Sequence, residues 1–311
     1  MPGPLERKIV LVTRRTRLEE LIAKYHTRAQ AQFYLEHLGA DFADYVREHD
    51  TYAGSQQIVL DALSRYGRYH RIDRAFLTNY LFAPEDIVVA LGQDGLVANT
   101  MKYLDGQPLV GINPDPLRYD GVLVPFDARD FPHLLSDIVA DKRPIGSVAM
   151  AQAELGNGER MYGVNDLFIG PRSHTSARYE LRLGDKTETQ SSSGIIVSTG
   201  LGSTGWMRSV QTGAAGVVSA QQDGVVTSIW RPISKDARML QFAVREPFPS
   251  RHSNTSIIFG ALREHETLEL RSLMAEGGVI FSDGMESDHL DFNAGAVANI
   301  QLSSRVGCLV S

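Results

Sequence analysis

Short continuous apolar runs alternate with longer stretches of helical spacing in the first part of the chain. Residues 8–13 contain Ile9-Val10-Leu11-Val12, residues 87–91 read Ile-Val-Val-Ala-Leu, and residues 109–112 form a third run. Runs of this length without polar alternation fit strands buried on both faces, as in a parallel sheet. Between them, Leu18, Leu21, Ile22 and Tyr25 can share one helical face. Residues 29–38, with Phe33 and Leu38, read as a second helix. Residues 56–66 read as a third, with Val59, Leu60, Leu63 and Tyr66 on or near one stripe and Gly67 as a stop signal. Alternating strands and helices predict an α/β, Rossmann-like domain over residues 1–127.

The pattern changes afterwards. Tyr179-Glu180-Leu181-Arg182-Leu183 alternates apolar and polar positions and is followed by a Gly184-Asp185 turn. Residues 239–244, 256–259, 267–270, 278–281 and 298–302 are further short strand candidates, separated by Pro, Gly, Asn and Asp. That spacing predicts a β-rich, antiparallel, sandwich-like domain over residues 128–311. One helix is expected to start near Ser203, with that serine as its N-cap.

Composition narrows the function classes. A chain of 311 residues with 43% hydrophobic content favours two folded domains. The net charge of −6 argues against a general nucleic-acid binder. A single cysteine, Cys308, excludes an intrachain disulfide. No apolar run reaches the ~18 residues that a membrane span needs. The first residues are not followed by the apolar stretch of a signal peptide. A cytoplasmic protein without membrane partners is the simplest expectation.

Two glycine-bearing turns carry the candidate chemistry. Gly92-Gln93-Asp94-Gly95 follows the second buried run, and Thr199-Gly200-Leu201-Gly202-Ser203-Thr204-Gly205-Trp206 follows Ile195-Ile196-Val197-Ser198. Small residues just past a strand let backbone N–H groups approach an anion closely. Asp94 adds a carboxylate that can accept a proton from a hydroxyl; taken alone, the motif is more often a tight turn with an Asp cap. The second turn matches GxGxxG, but a dinucleotide fingerprint belongs in a βαβ unit, and its acidic partner would have to be Asp223. It is neither a Walker A loop nor a GxSxG elbow. Asn165-Asp166 can hydrogen-bond a ribose or adenine edge, or simply form a turn leading into a strand. Asp283-Gly284 reads as a hairpin turn. Asp115, Arg118 and Asp120 flank a loop in which the arginine can meet a phosphate or solvent. The nine histidines show no metal-ligand spacing, and no protein metal site is expected.

Taken in order, these segments resemble the NAD kinase family, and its mitochondrial-type branch in particular. Gly92–Gly95 resembles the GGDG motif, Ile112-Asn113-Pro114-Asp115-Pro116 the VNTDP segment, and Asn165–Gly170 the NEVFIG segment. Ser192-Ser193-Gly194 through Trp206 resembles SSG…TGTGS..W, Val244-Arg245-Glu246-Pro247 resembles IREP, and Asp283-Gly284 through Ala296 resembles the DGG…FNDGAIA ending. The order and spacing run through nearly the whole chain. Three departures stand out: Gln93 replaces the second Gly, Leu96 replaces the Thr after the motif, and Asp166 replaces a Glu. If position 93 were left-handed, its side chain would cost roughly 1–2 kcal/mol. Any return of the chain end to the first domain is expected to be brief.

The resemblance implies a Rossmann-like domain, a β-rich domain and a homodimer. It implies ATP-dependent phosphorylation of the adenosine ribose 2′-hydroxyl of NAD to give NADP, with ATP and Mg²⁺ as cofactors. Asp94 would be the general base, and the backbones of Gly92, Gly95 and Gly202 would hold phosphates. Gln93 would border the phosphate path. Asn165 and Asp166 would bind ribose or adenine, and Thr199, Gly200, Ser203 and Thr204 would line the nucleotide pocket. Two alternatives stay open at this stage: an NAD(P)-binding sensor that lost turnover, and a kinase for a sugar or lipid hydroxyl. A dehydrogenase ranks behind both.

Overall fold

The computed structural model describes residues 7–221 and 230–311, so Asp223 lies outside the described residues. The chain divides into two compact units: residues up to Gly146 together with Cys308–Ser311, and Ser147–Gly307.

The first unit runs β1 (Ile9–Thr13), α1 (Arg17–Tyr25), α2 (Arg28–His37), α3 (Phe42–Tyr66), β2 (Tyr69–Asp73), β3 (Ile87–Leu91), α4 (Asp94–Met101), β4 (Pro108–Asn113), β5 (Phe126–Asp127) and α5 (Phe131–Val139). Its sheet has the order β2-β1-β3-β4-β5, and all four pairings are parallel. Every residue of β1 and β3 is buried, which is why both read as apolar runs, with Thr13 at the end of β1 the one polar residue. Cys308 and Leu309, at the end of the last strand of the chain, pair in parallel with Pro108 and Leu109 of β4.

The expected boundary after residue 127 falls inside this unit. Phe131, Leu135, Ile138 and Val139 of α5 pack in the same core as Val59, Leu63, Val89 and Val110. Helix α3 begins at Phe42, well before residue 56, where its apolar stripe becomes readable. In its first half Asp41 caps Ala43 N–H at 2.9 Å, Phe42, Tyr45 and Val46 pack with Leu18, Ala31 and Leu35, and Glu48 and Tyr52 are buried. Gly67 ends the helix as expected, in a left-handed conformation with φ 91°.

The second unit contains β6 (Ile145–Leu155), which starts at the boundary, then β7 (Arg160–Gly163), β8 (Asp166–Pro171), β9 (Ala177–Leu183), β10 (Lys186–Ser192), β11 (Ile195–Ser198), α6 (Trp206–Gln221), β12 (Met239–Val244), β13 (Phe259–Arg263), β14 (Thr267–Ser272), β15 (Gly278–Ser282), β16 (His289–Asp291) and β17 (Val297–Val310). One sheet has the order β13-β12-β11-β8-β15-β16 and is antiparallel throughout. The other aligns β10-β9-β14-β17, with β6 on β17 and β7 on β6. Leu167, Ile169, Val197, Phe242 and Ile280 of the first sheet pack with Tyr179, Leu181, Leu268, Leu270 and Ile300 of the second. The opposite face of the first sheet is covered by α6, where Met207 meets Phe168, Ile196 and Val279.

The strand expected at residues 256–259 is displaced to 259–263. The buried carboxylate of Glu188 accepts the N–H groups of Ser256 and Ile257 at 3.2 and 3.1 Å, which takes those donors out of a ladder. The Arg118 guanidinium meets no free anion site: it forms a forked pair with Asp44, at 2.6 and 3.1 Å. No helix among the described residues is long and apolar enough to cross a membrane.

Candidate active site

Gly92 follows β3 and Asp94 opens α4, so the first glycine-bearing turn stands at the carboxyl end of a central parallel strand. The chain enters this sheet at β1, adds β2 on one side and β3 on the other, so its direction of growth reverses at β1/β3. Open α/β sheets take ligands at such reversals. Gln93 has φ −95° and ψ 170°, an extended conformation open to any residue, so the expected cost of a left-handed side chain at this position does not arise. Its side chain is exposed.

The Asp94 carboxylate is fixed by two backbone donors. Val122 N–H reaches Oδ2 at 2.9 Å and Leu123 N–H reaches Oδ1 at 2.8 Å. A carboxylate offers about four acceptor positions, so one further position on each oxygen stays open to a hydroxyl. The two glycines differ. A Cβ at Gly92 would stand 2.7 Å from the Leu96 side chain, whereas one at Gly95 would have no atom within 4 Å. Leu96 is buried and fills the base of the turn.

The second group of candidate residues is also brought together locally. Ser198 pairs with Asp166 across β11 and β8. Thr199 N–H donates to Asn165 O at 2.9 Å, and its hydroxyl donates to Val164 O at 2.6 Å. Gly200 and Gly202 lie against backbone: an added Cβ would come within 1.8 Å of Ser234 O and 2.1 Å of Asn165 O, respectively. Ser203 is buried; its hydroxyl donates to Gly200 O at 2.6 Å and accepts from Ile233 N–H at 3.1 Å. It is therefore not the expected helix cap, and α6 starts three residues later, at Trp206. Thr204 is exposed, with its hydroxyl donating to Leu201 O at 3.2 Å.

Asp283 does more than turn the chain. It and Gly284 carry φ of 53° and 73°, the left-handed pair of a tight turn. Its carboxylate also accepts the N–H groups of Val164, Asn165 and Asp166, at 2.6 to 3.3 Å. The Asn165-Asp166 turn is thus clamped from below by a residue over a hundred positions away, a contact that no local spacing signals.

Asp166 itself carries a buried oxygen, Oδ1, with no hydrogen-bond partner. Burial pushes its carboxyl up to about 7; the Ser198 hydroxyl offsets part of this, and the nearby Asp283 charge adds to it. An unpaired buried acceptor costs free energy until a donor arrives. Its oxygen is therefore suited to receive a ligand hydroxyl.

No family model matches the chain. It is 26% identical over 229 residues to a probable NADH kinase of Oryza sativa subsp. japonica, a match covering 66% of this chain and 64% of that protein. The matched part thus falls just short of two thirds of that relative's length. Among solved structures, yeast NADH kinase complexed with NADH superposes with a TM-score of 0.57 at 11% identity, covering 98% of this chain and 83% of that one. An NAD kinase from Archaeoglobus fulgidus in complex with ATP gives 0.55 at 15% identity, covering 97% and 93%. At these identities the structural likeness is one of fold, and that fold is the α/β unit with a β-rich unit expected from the sequence. The chain is thus similar in sequence to one probable NADH kinase and shares its fold with two solved kinases of NADH and NAD.

Proposed function

We propose that the chain transfers the terminal phosphoryl group of ATP to the adenosine ribose 2′-hydroxyl of NAD, giving NADP and ADP. The observation that carries this reading is the Asp94 carboxylate, held by two backbone N–H groups at the carboxyl end of β3 with acceptor positions to spare. In the reaction the 2′-oxygen attacks the γ-phosphorus, the bond to the β–γ bridging oxygen breaks, and the hydroxyl proton passes to Asp94. Phosphoryl transfer depends mainly on positioning and charge stabilisation, so a base fixed in the ground state loses nothing to reorganisation.

The remaining roles follow the same reading. The backbone at Gly95, which has open space around it, admits a phosphate. Gly92 shapes the turn beneath it, and Gln93 borders the path. The unpartnered Asp166 oxygen accepts a ribose hydroxyl, and Asn165 beside it contacts the ribose or adenine. Thr199, Gly200, Gly202 and Ser203 act through the backbone they hold in place, and the exposed Thr204 faces the ligand. Among the described residues no three His, Cys, Asp or Glu groups come together as a metal site. Mg²⁺ would enter with ATP and neutralise charge on its phosphates. The relaxed backbone at Gln93 removes the steric argument for a sensor without turnover.

The test is NADP formation by the full chain with ATP, Mg²⁺ and NAD, beside Asp94→Asn. Loss of a general base lowers turnover by about 10²–10⁴-fold, so NADP should form with the native chain at a rate higher by that factor. Equal rates for the two would remove Asp94 from the chemistry, and no NADP from either would remove the reaction.

A further inference from the structure

Residues 114–125 join β4 to β5 and carry the two backbone donors that hold Asp94, at Val122 and Leu123. Both ends of this loop are fixed. Pro114 is buried, and its carbonyl accepts the Ser55 hydroxyl of α3 at 2.7 Å. Leu123 and Val124 are buried at the other end. The middle is not packed: Leu117 and Val122 are 101% and 66% exposed. A segment that buries so little apolar surface is held by its polar contacts. Asn113 Nδ2 donates to Tyr119 O at 2.8 Å, and the N–H groups of Arg118 and Tyr119 both reach Asp115 O at 3.0 Å. These contacts shape the loop from within.

Among the described residues, one side-chain contact ties the middle of the loop to a helix. The Arg118 guanidinium forks onto both oxygens of Asp44, near the start of α3, and its Nε lies 3.5 Å from Asp115. Bidentate pairing fixes direction as well as distance. Asp44 is held in turn by Arg17 of α1 at 2.7 Å, with Arg47 at 3.5 Å. Between Arg118 and Val122 the chain turns at Gly121, whose φ is 61°. The position of Val122 N–H is therefore set by where Arg118 is anchored.

We propose that Arg118 is a positioning residue for Asp94: by gripping Asp44 it fixes the exposed stretch before Val122, and so directs Val122 N–H onto Oδ2. The effect on turnover rests on the kinase reading above; the tie between Arg118 and the donors of Asp94 does not. Leu123 is held by its own burial, so its N–H depends less on the pair. With the pair broken, Oδ2 loses its donor for part of the time and the carboxylate turns away from the hydroxyl it serves. A misplacement of about 1 Å, caused far from the chemistry, costs on the order of 100-fold in rate.

The experiment reads amide hydrogen exchange at Val122 and Leu123 beside the kinetics of NADP formation, on the full chain. The variants are Arg118→Ala, Arg118→Lys, Asp44→Asn, Arg118→Ala/Asp44→Asn and, as control, Arg17→Ala. The Arg118 and Asp44 side chains are 28% and 32% exposed, and loss of a partly exposed pair leaves a fold intact; thermal unfolding checks this. Arg118→Ala should speed exchange at Val122 by about tenfold, and by more than at Leu123. It should lower kcat by about 10–100-fold with the KM for ATP and for NAD unchanged. Asp44→Asn should do the same, and the double variant should lose no more than either, because the two side chains act as one contact. Arg118→Lys keeps the charge without the fork and should fall between. Arg17→Ala takes the other partner from Asp44, leaves the loop alone, and should keep native exchange and kcat. A higher KM for ATP at native kcat in Arg118→Ala would mean that the guanidinium meets a phosphate, and would overturn the positioning role. Native exchange at Val122, additive losses in the double variant, or faster exchange at native kcat would overturn it too. If the native chain forms no NADP, the kinase reading falls while exchange still decides the tie.

Discussion

The two glycine-bearing turns look alike in the sequence and use their glycines for opposite reasons. At Gly200 and Gly202 the missing Cβ is filled by the protein's own backbone, Ser234 O at 1.8 Å and Asn165 O at 2.1 Å. At Gly95 the missing Cβ leaves open space, with no atom within 4 Å. Gly200 and Gly202 are therefore glycine because the fold demands it, whereas the fold leaves room at Gly95 for the phosphate proposed above. The same contrast holds for the polar residues. Thr199 and Ser203 spend their hydroxyls on backbone carbonyls, whereas Asp94 keeps acceptor positions free and Asp166 keeps an oxygen unpaired.

The contrast breaks most readily at Gly202. A methyl group there meets a carbonyl and the Ser198 hydroxyl at 2.6 Å, both in buried backbone-lined space. Gly202→Ala should destabilise the chain by about 3 kcal/mol or more, since overpacking against backbone has no cheap relaxation. Thermal or denaturant unfolding would show it, and a native midpoint would mean that Asn165 can shift without cost.

Asp166 sharpens the comparison through pH. Its carboxyl is pushed up to about 7 in the folded chain, above the ordinary carboxylate range. Between about pH 4 and pH 7 the folded state holds a proton that the unfolded state has released, so stability falls as pH rises through this window. Asp166→Asn has no such proton to lose. It should gain on the native chain from pH 4 to 7, by on the order of a few kcal/mol, and run parallel to it above. Unfolding measured across that range checks the slope, and parallel curves below pH 7 would place the charge in solvent.

The smallest effect on folding is expected at Gly95. Gly95→Ala fills open space inside a helix, where alanine is favoured over glycine by about 1 kcal/mol. Stability should hold or rise slightly while NADP formation falls, because the methyl group occupies the room for a phosphate. Undiminished turnover would show that the phosphate does not approach this backbone.

Particular elements show where the sequence was readable. Strands β1 and β3 were plain because full burial leaves them one polar residue, Thr13. Strand β2, Tyr-His-Arg-Ile-Asp, was missed because it is the edge of its sheet and buries only Ile72. The first half of α3 is harder to read because its short apolar stripe, Phe42, Tyr45 and Val46, packs with Leu18, Ala31 and Leu35 beside the buried Glu48–Arg14 ion pair. The proposed site is legible only as types of residue, in Asp94, Asn165, Asp166 and the glycines. The Asp283 clamp and the Arg118–Asp44 pair are not, since each joins positions far apart in the chain.

The sequence by itself determined the two-part architecture, because burial on both faces and burial on one face write different patterns of apolar residues. It also determined which turns carry carboxylates and hydroxyls. Only the tertiary structure decided which of those groups are free. A hydroxyl or a carboxylate is committed or available according to the backbone groups that other strands bring within about 3 Å of it, and that distance is set by packing, which no local spacing encodes.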